Sequence, residues 1–171
     1  NKINLAFYGY AQKIWFMSDV QKNIFLEKVR TIKEEKTETL NSVFSSGDLR
    51  FIDSIKNNEK DDTYLIVKTQ SWVKGFDNCV KYATTNNLKH EIVTNLPYHE
   101  LLIKLSTSRG LIFLPDGADT CPRLVMEAQM LGCEVITNNN VQHKDEHWAN
   151  NALSCRKHMN TRTSAFWDYY E

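Results

Sequence analysis

The sequence predicts an α/β protein built on a doubly wound, Rossmann-like parallel sheet, and three observations carry that expectation. Short apolar runs at residues 63–68 and 111–114 suit strands buried on both faces. Segments with apolar residues at helical spacing alternate with those runs. The stretch 110–137 reads as strand, loop, helix, short turn and strand, which is one βαβ unit with its loop at the carboxyl end of the first strand.

Residues 1–10 mix aromatic and polar side chains with no period that assigns them. Residues 13–17 are a short strand candidate. Ser18 and Gln21 fit a capping box, and Val20, Ile24, Phe25 and Val29 form the apolar stripe of the helix that follows. The charged run 33–38 suits a solvated linker or helix face. Residues 39–44 are a strand candidate, followed by Gly47-Asp48 and a helix through Leu49, Ile52 and Ile55. Residues 57–62 are polar and turn the chain.

Tyr64, Leu65, Ile66 and Val67 make the strongest buried strand, with residues 70–75 as its exit loop. Phe76, Val80 and Ala83 supply the buried side of the next helix. Residues 90–93 are a strand and 98–105 a helix. Pro115 ends the run 111–114, and a polar loop with Gly117, two Asp residues and Thr120 follows. Pro122 suits the first helical position, where its missing N–H costs nothing. Leu124, Val125, Ala128 and Leu131 recur at helical spacing, and Gly132 stops that helix before a strand over 133–137. Asn138, Asn139 and Asn140 form a turn, residues 145–159 a helix, and the aromatic-rich residues 164–170 a second one.

Composition bounds the function. The chain has 171 residues, enough for about one domain with a sizeable core, and its 42% hydrophobic content is that of a globular protein. Basic and acidic residues balance at 21 each, so no global field draws nucleic acid. No apolar run reaches membrane-spanning length. Cys79, Cys121, Cys133 and Cys155 form no Cys-x-x-Cys pair and read as reduced thiols, which points to the cytoplasm. The chain opens at Asn1 without a Met, inside a folded-looking sequence, and is expected to be a fragment.

The loop and helix of the βαβ unit concentrate polar chemistry. Asp119 lies in the loop, and Glu127, separated from it by seven residues, lies inside the helix. Both can line one crevice, into which the first helical N–H groups, near Arg123 and Leu124, also point. Carboxylates accept hydrogen bonds from sugar hydroxyls, while a helix start and a cation suit phosphates. The plainer alternative is that Asp119 or Thr120 caps the helix and Glu127 is a solvated helix residue.

On these residues the chain resembles the GT-B glycosyltransferases of the retaining family-4 (group 1) type. That family carries an acidic residue, seven residues, then Glu-Ala, Gly and a Val-Ile strand. The counterparts here are Asp119, Glu127-Ala128, Gly132 and Val135-Ile136, with Cys121-Pro122 in the same loop. The likeness extends to residues 96–102 and to Trp72-Val73-Lys74-Gly75, so it covers about 43–148. One departure is plain: the first acid is usually Glu, and Asp119 is one methylene shorter.

The resemblance implies the C-terminal, donor-binding half of a GT-B enzyme. Residues 1–38 would be the tail of the first domain plus linker, and 39–171 the Rossmann-like donor domain with its C-terminal helices. It implies a nucleotide-diphosphate sugar donor, UDP- or GDP-linked, an unknown acceptor (sugar, lipid or protein), and no cofactor or metal. The partners it implies are the first GT-B domain, through which peripheral membrane association stays open, and no nucleic acid. Lys74, Asp119 and Glu127 would be the catalytic group: Glu127 on the ribose, Asp119 on the transferred sugar, Lys74 on the leaving diphosphate. Lys74, Thr120, Cys121, Arg123, Leu124 and Glu127 would bind the donor, residues 94–98 would hold the base through backbone groups, and Lys68 is a second choice for phosphate. Alone, the fragment is expected to bind donor weakly and turn over little.

Each of these has a bland counterpart. Lys74 in a turn can be a surface charge, and Arg123 can face the linker. His143 and His147, four apart, could share a helix face as metal ligands, but two surface histidines at a helix start is the preferred reading. The four tryptophans are too scattered to form a stacking platform for nucleic acid. Phe166, Trp167, Tyr169 and Tyr170 could pack back on the first domain, as the last helix of a GT-B enzyme does, or on the sheet. Other GT-B chemistries (an epimerase or phosphorylase) and a non-catalytic binding or assembly module with the same fold remain as alternatives.

Overall fold

A computed structural model describes residues 2–168, and the expected contribution of Tyr169 and Tyr170 lies outside the described residues. In order the elements are α1 (Lys2–Tyr10), β1 (Ile14–Phe16), α2 (Asp19–Lys28), β2 (Thr37–Thr39), α3 (Ser46–Ile55), β3 (Tyr64–Lys68), α4 (Phe76–Thr85), β4 (His90–Thr94), α5 (Tyr98–Thr107), β5 (Gly110–Phe113), α6 (Arg123–Met130), β6 (Glu134–Thr137) and α7 (Ala152–Trp167). Short 3₁₀ turns stand at Glu34–Lys36, Trp72–Lys74 and His147–Asn150.

The fold is α/β with parallel sheets. β1 and β2 pair as one small sheet, and the main sheet has four strands in the order β4-β3-β5-β6, all parallel. Alternation along β3 and β5 feeds two cores. Leu65, Leu111 and Phe113 face Leu49, Leu102, Leu105, Met126 and Met159 on one side. Tyr64, Ile66 and Ile112 face Cys79 and Ala83 of α4 on the other. Helices therefore cover both faces, which is why these strands are nearly continuously apolar.

Strand order places a switch in this sheet. The chain steps outward from β3 to β4, then returns across β3 to continue with β5 and β6. β3 and β5 pair at only two positions, Tyr64↔Gly110 and Leu65↔Leu111, so their carboxyl ends are free of ladder bonds to each other. A crevice at such a point is where open α/β sheets take ligands.

Several expectations change. Residues 39–44 are not a strand: pairing with β1 ends at Thr39, and 40–45 is irregular because Asn41 and Ser42 spend their polar groups on Met17, Glu146 and Cys121. Residues 1–10, unassigned by pattern, contain α1. The two C-terminal helices are one, Ala152–Trp167, preceded by a 3₁₀ turn. Asn151 caps it by accepting from Ser154 N–H, while Cys155 and Met159 anchor it in the core. Its end crosses to the small sheet, where Phe166 lies 6.2 Å from Trp15 of β1 by ring centroids. Ser18 does cap α2, accepting from Gln21 N–H, and the Gln21 carboxamide oxygen accepts from Met17 N–H. Yet α2 buries no residue: Phe25 and Val29 pack on Ile14, Phe16 and Ile32, while Val20 and Ile24 stay exposed.

Candidate functional site

The residues expected to bind a ligand fall into two groups at the carboxyl edge of the main sheet. The first stands at the switch between β3 and β5. Lys74 ends the 3₁₀ turn after β3, and Asp119 lies in the loop after β5; Lys74 Nζ donates to Asp119 Oδ2 at 2.6 Å. Lys74 Nζ also lies 5.7 Å from the Phe113 ring centroid. The pair is part-exposed, so solvent screens it and its own contribution to stability is about 0–1 kcal/mol.

Gly75 fixes this geometry by its backbone. It has φ +65°, the left-handed region, and a Cβ there would overlap the Leu114 carbonyl. That close approach lets the β3 exit turn lie against the β5 exit, which brings Lys74 to Asp119.

The Asp119 loop is held from its other side too. Asp119 N–H donates to the Asn140 carbonyl at 2.8 Å and the Asp119 carbonyl accepts from Gln142 N–H at 3.0 Å, an isolated parallel bridge to Val141. The Asn138 and Asn140 carboxamides both donate to the Pro115 carbonyl. Neither Asp119 nor Thr120 caps α6. The N-cap is Pro122 itself, so the helix starts one position later than expected, at Arg123, with no side-chain cap bond. Thr120 is half-buried, Leu124 packs partly on the core, and the Cys121 thiol is turned inward, where it accepts from Ser42 N–H.

The second group is centred on Glu127, only 3% exposed on α6. Its Oε1 accepts from the Tyr98 hydroxyl at 2.8 Å and lies 3.5 Å from Arg123 Nε. Arg123 also reaches Asp48 Oδ2 at 3.7 Å and stacks over the Phe44 ring at 4.3 Å. Burial raises the Glu127 carboxyl above the usual carboxylate range, against the opposing pull of Tyr98 and Arg123. Glu127 is thus not the solvated helix residue of the plainer reading, and Arg123 faces two carboxylates rather than empty solvent.

Among the described residues no hydrogen bond or ion pair joins the Lys74–Asp119 group to the Glu127 group. Between β3 and β4 a cleft of about 350 Å³ opens, lined by Lys68, Thr69, Gln70, Thr94, Asn95 and Leu96 among others. Asn95 adopts positive φ there (+54°), a conformation Asn tolerates better than most residues. Lys68 is exposed at its rim with Nζ 5.3 Å from the Phe76 ring.

Pattern reading missed Tyr98 and Asp48, whose roles depend on side chains far apart in sequence. It also misplaced His143. That residue is fully buried in a turn, and only His147 is exposed, so the two do not share a helix face. No group of three or more His, Cys, Asp or Glu suited to a metal occurs among the described residues. No helix among them is long and apolar enough to cross a membrane. Compared with protein-family models and with curated proteins, the chain matches none.

Proposed function

We propose that this chain is the donor-binding half of a GT-B glycosyltransferase of the family-4 (group 1) type, which transfers a sugar from a nucleotide diphosphate to an acceptor. The observation that carries the reading is the Lys74–Asp119 contact at the sheet's switch point. A cation and a carboxylate held there suit a ligand that bears phosphate and hydroxyls together.

In this scheme the base enters the cleft beside β3 and β4 and meets backbone groups of 94–96. The diphosphate takes Lys74 from Asp119, and the freed Asp119 accepts from hydroxyls of the sugar. Glu127 Oε1 already holds Tyr98 and Arg123, so a ribose hydroxyl would meet Oε2. When the bond between the anomeric carbon and the phosphate oxygen breaks, the electron pair leaves with the diphosphate. Lys74, supported by Arg123, offsets that charge, an effect worth a few kcal/mol per well-placed donor. The acceptor and the residues that bind it belong to the other GT-B domain, and a cytoplasmic location fits a nucleotide-sugar donor.

A second reading, a non-catalytic module that kept the fold, is favoured by one observation: both carboxylates are already paired within the protein, Glu127 almost wholly buried. Calorimetric titration of UDP, GDP and ADP separates the two. Donor binding predicts that one nucleotide binds, that Lys74→Met weakens it at least tenfold, and that Glu127→Ala also weakens it. Absence of binding by all three overturns the transferase reading in favour of the module.

A further inference from the structure

A second polar pocket lies behind α6, and Lys74, Asp119 and Glu127 are not among its walls. It has a volume of about 290 Å³, and its walls come from α6 (Val125, Gln129), β6 (Val135, Thr137) and the segment after β6 (His143, Ala149). Three of these side chains hold buried polar atoms without a well-formed hydrogen bond: Gln129 Oε1, Thr137 Oγ1, and the ring nitrogens of His143, whose polar neighbours, its own backbone and that of Pro122, stand outside good hydrogen-bond geometry. Buried polar atoms are almost always paired, so four such atoms around one space point to a hydrogen-bonding occupant.

From these walls we infer that the pocket binds a small uncharged polyol of about monosaccharide size. His143 is fully buried and its ring packs 5.2 Å from Trp148, which fixes its orientation. Burial also depresses its basicity, so the ring is neutral near pH 7, with one N–H donor and one lone-pair acceptor. Gln129 offers only its carbonyl oxygen, because its amide nitrogen donates to the Ala149 carbonyl. Thr137 can donate or accept. The site thus presents donors and acceptors together, as a pair of neighbouring hydroxyls requires.

Charge selects further. An anion could take the imidazole N–H and the Thr137 hydroxyl, but it would also face the Gln129 oxygen and the imidazole lone pair, which repel it. A cation would find no carboxylate in the walls, an expensive arrangement. Lys144 at the wall is paired with Asp145 at 3.2 Å. Val125, Val135 and Ala149 suit the C–H faces of such a ligand. The volume is at the small end of ligand sites.

The inference is independent of the nucleotide reading, and its test keeps the two apart. Imidazole ¹⁵N–¹H spectra of the whole chain are recorded while glycerol, methyl glucoside, inorganic phosphate and ammonium are titrated separately. The expected result is a saturable shift of the His143 resonances with glycerol or methyl glucoside and none with phosphate or ammonium. Thr137→Val, which keeps the shape and removes the hydroxyl, is expected to weaken that binding about tenfold while leaving UDP, GDP and ADP titrations unchanged. Gln129→Leu provides a second variant should the first fail to fold. No shift with either hydroxyl compound, a shift with phosphate or ammonium, or unchanged binding in a folded variant overturns the assignment.

Discussion

Acidification should loosen the joint between the small sheet and the rest of the molecule, and His158 sets the window. Its Nε2–H donates to Asn41 Oδ1 at 2.8 Å, while the Asn41 amide nitrogen donates to the Met17 carbonyl. Its ring stacks on Trp148 at 4.6 Å and 1°. Burial, then Arg162 and His147, push the imidazole from the ordinary 6.5 down to about 4, with Asp19 opposing. The unfolded chain therefore takes up this proton first as pH falls. The stability His158 contributes is complete above about 6.5 and drains away as pH approaches about 4.

That fall corresponds to about 3 kcal/mol as an upper bound, and to roughly 1–2 kcal/mol once solvent around the half-buried ring is allowed for. Burial raises the neighbouring Glu146 carboxyl, whose contribution has the opposite sign, so the wild-type profile alone mixes the two. The difference between wild type and His158→Gln isolates the imidazole. Urea unfolding followed by tryptophan fluorescence at pH 7.5, 6, 5 and 4.5 measures it. The variant should lose most of its deficit as pH falls, and the His158 ring proton should titrate near 4. A difference that stays constant with pH, or a ring that titrates near 6.5, would refute the reasoning.

Two further outcomes follow from the site. Gly75→Ala forces a Cβ onto the Leu114 carbonyl at positive φ and should cost about 2–4 kcal/mol, read as a loss of at least 4 °C in Tm by calorimetry. Tyr98→Phe strips the buried Glu127 of its hydroxyl donor and should cost about 1–3 kcal/mol at pH 7. Because that hydroxyl stabilises the charged carboxylate, the cost should shrink as Glu127 becomes protonated toward pH 4.5, visible in the same urea series.

The strands β3 and β5 were legible because each buries both faces and so is written as an unbroken apolar run. The ends of α4 and α6 were legible for a local reason as well, since Asn86, Asn87 and Gly132 stop a helix chemically. The length of α7 was not. Its stretch Asn160-Thr161-Arg162-Thr163 looks like a break, yet the helix continues there because one turn earlier Met159 is buried in the core and Thr163 Oγ1 donates to the Phe44 carbonyl. His143 was misjudged because Lys144, Asp145 and Glu146 beside it suggest a wet surface, whereas the chain dips inward for that one side chain. Lys74 and Asp119 stand 45 residues apart, and spacing alone could not bring them together; only the family likeness placed them in one list. The partnership of Glu127 with Tyr98, 29 apart, had no such signal.

The backbone bridge at Asp119 has a mechanical consequence. Gln142, which donates its N–H to the Asp119 carbonyl, accepts with its side chain from the Ser18 hydroxyl at 2.9 Å, and Ser18 is the residue that starts α2. A displacement of Asp119, such as a change of partner for Lys74 would bring, is thus transmitted by two successive hydrogen bonds to the root of the helix whose Val20 and Ile24 face outward. The loop at the sheet's edge and the root of that helix are therefore one mechanical unit.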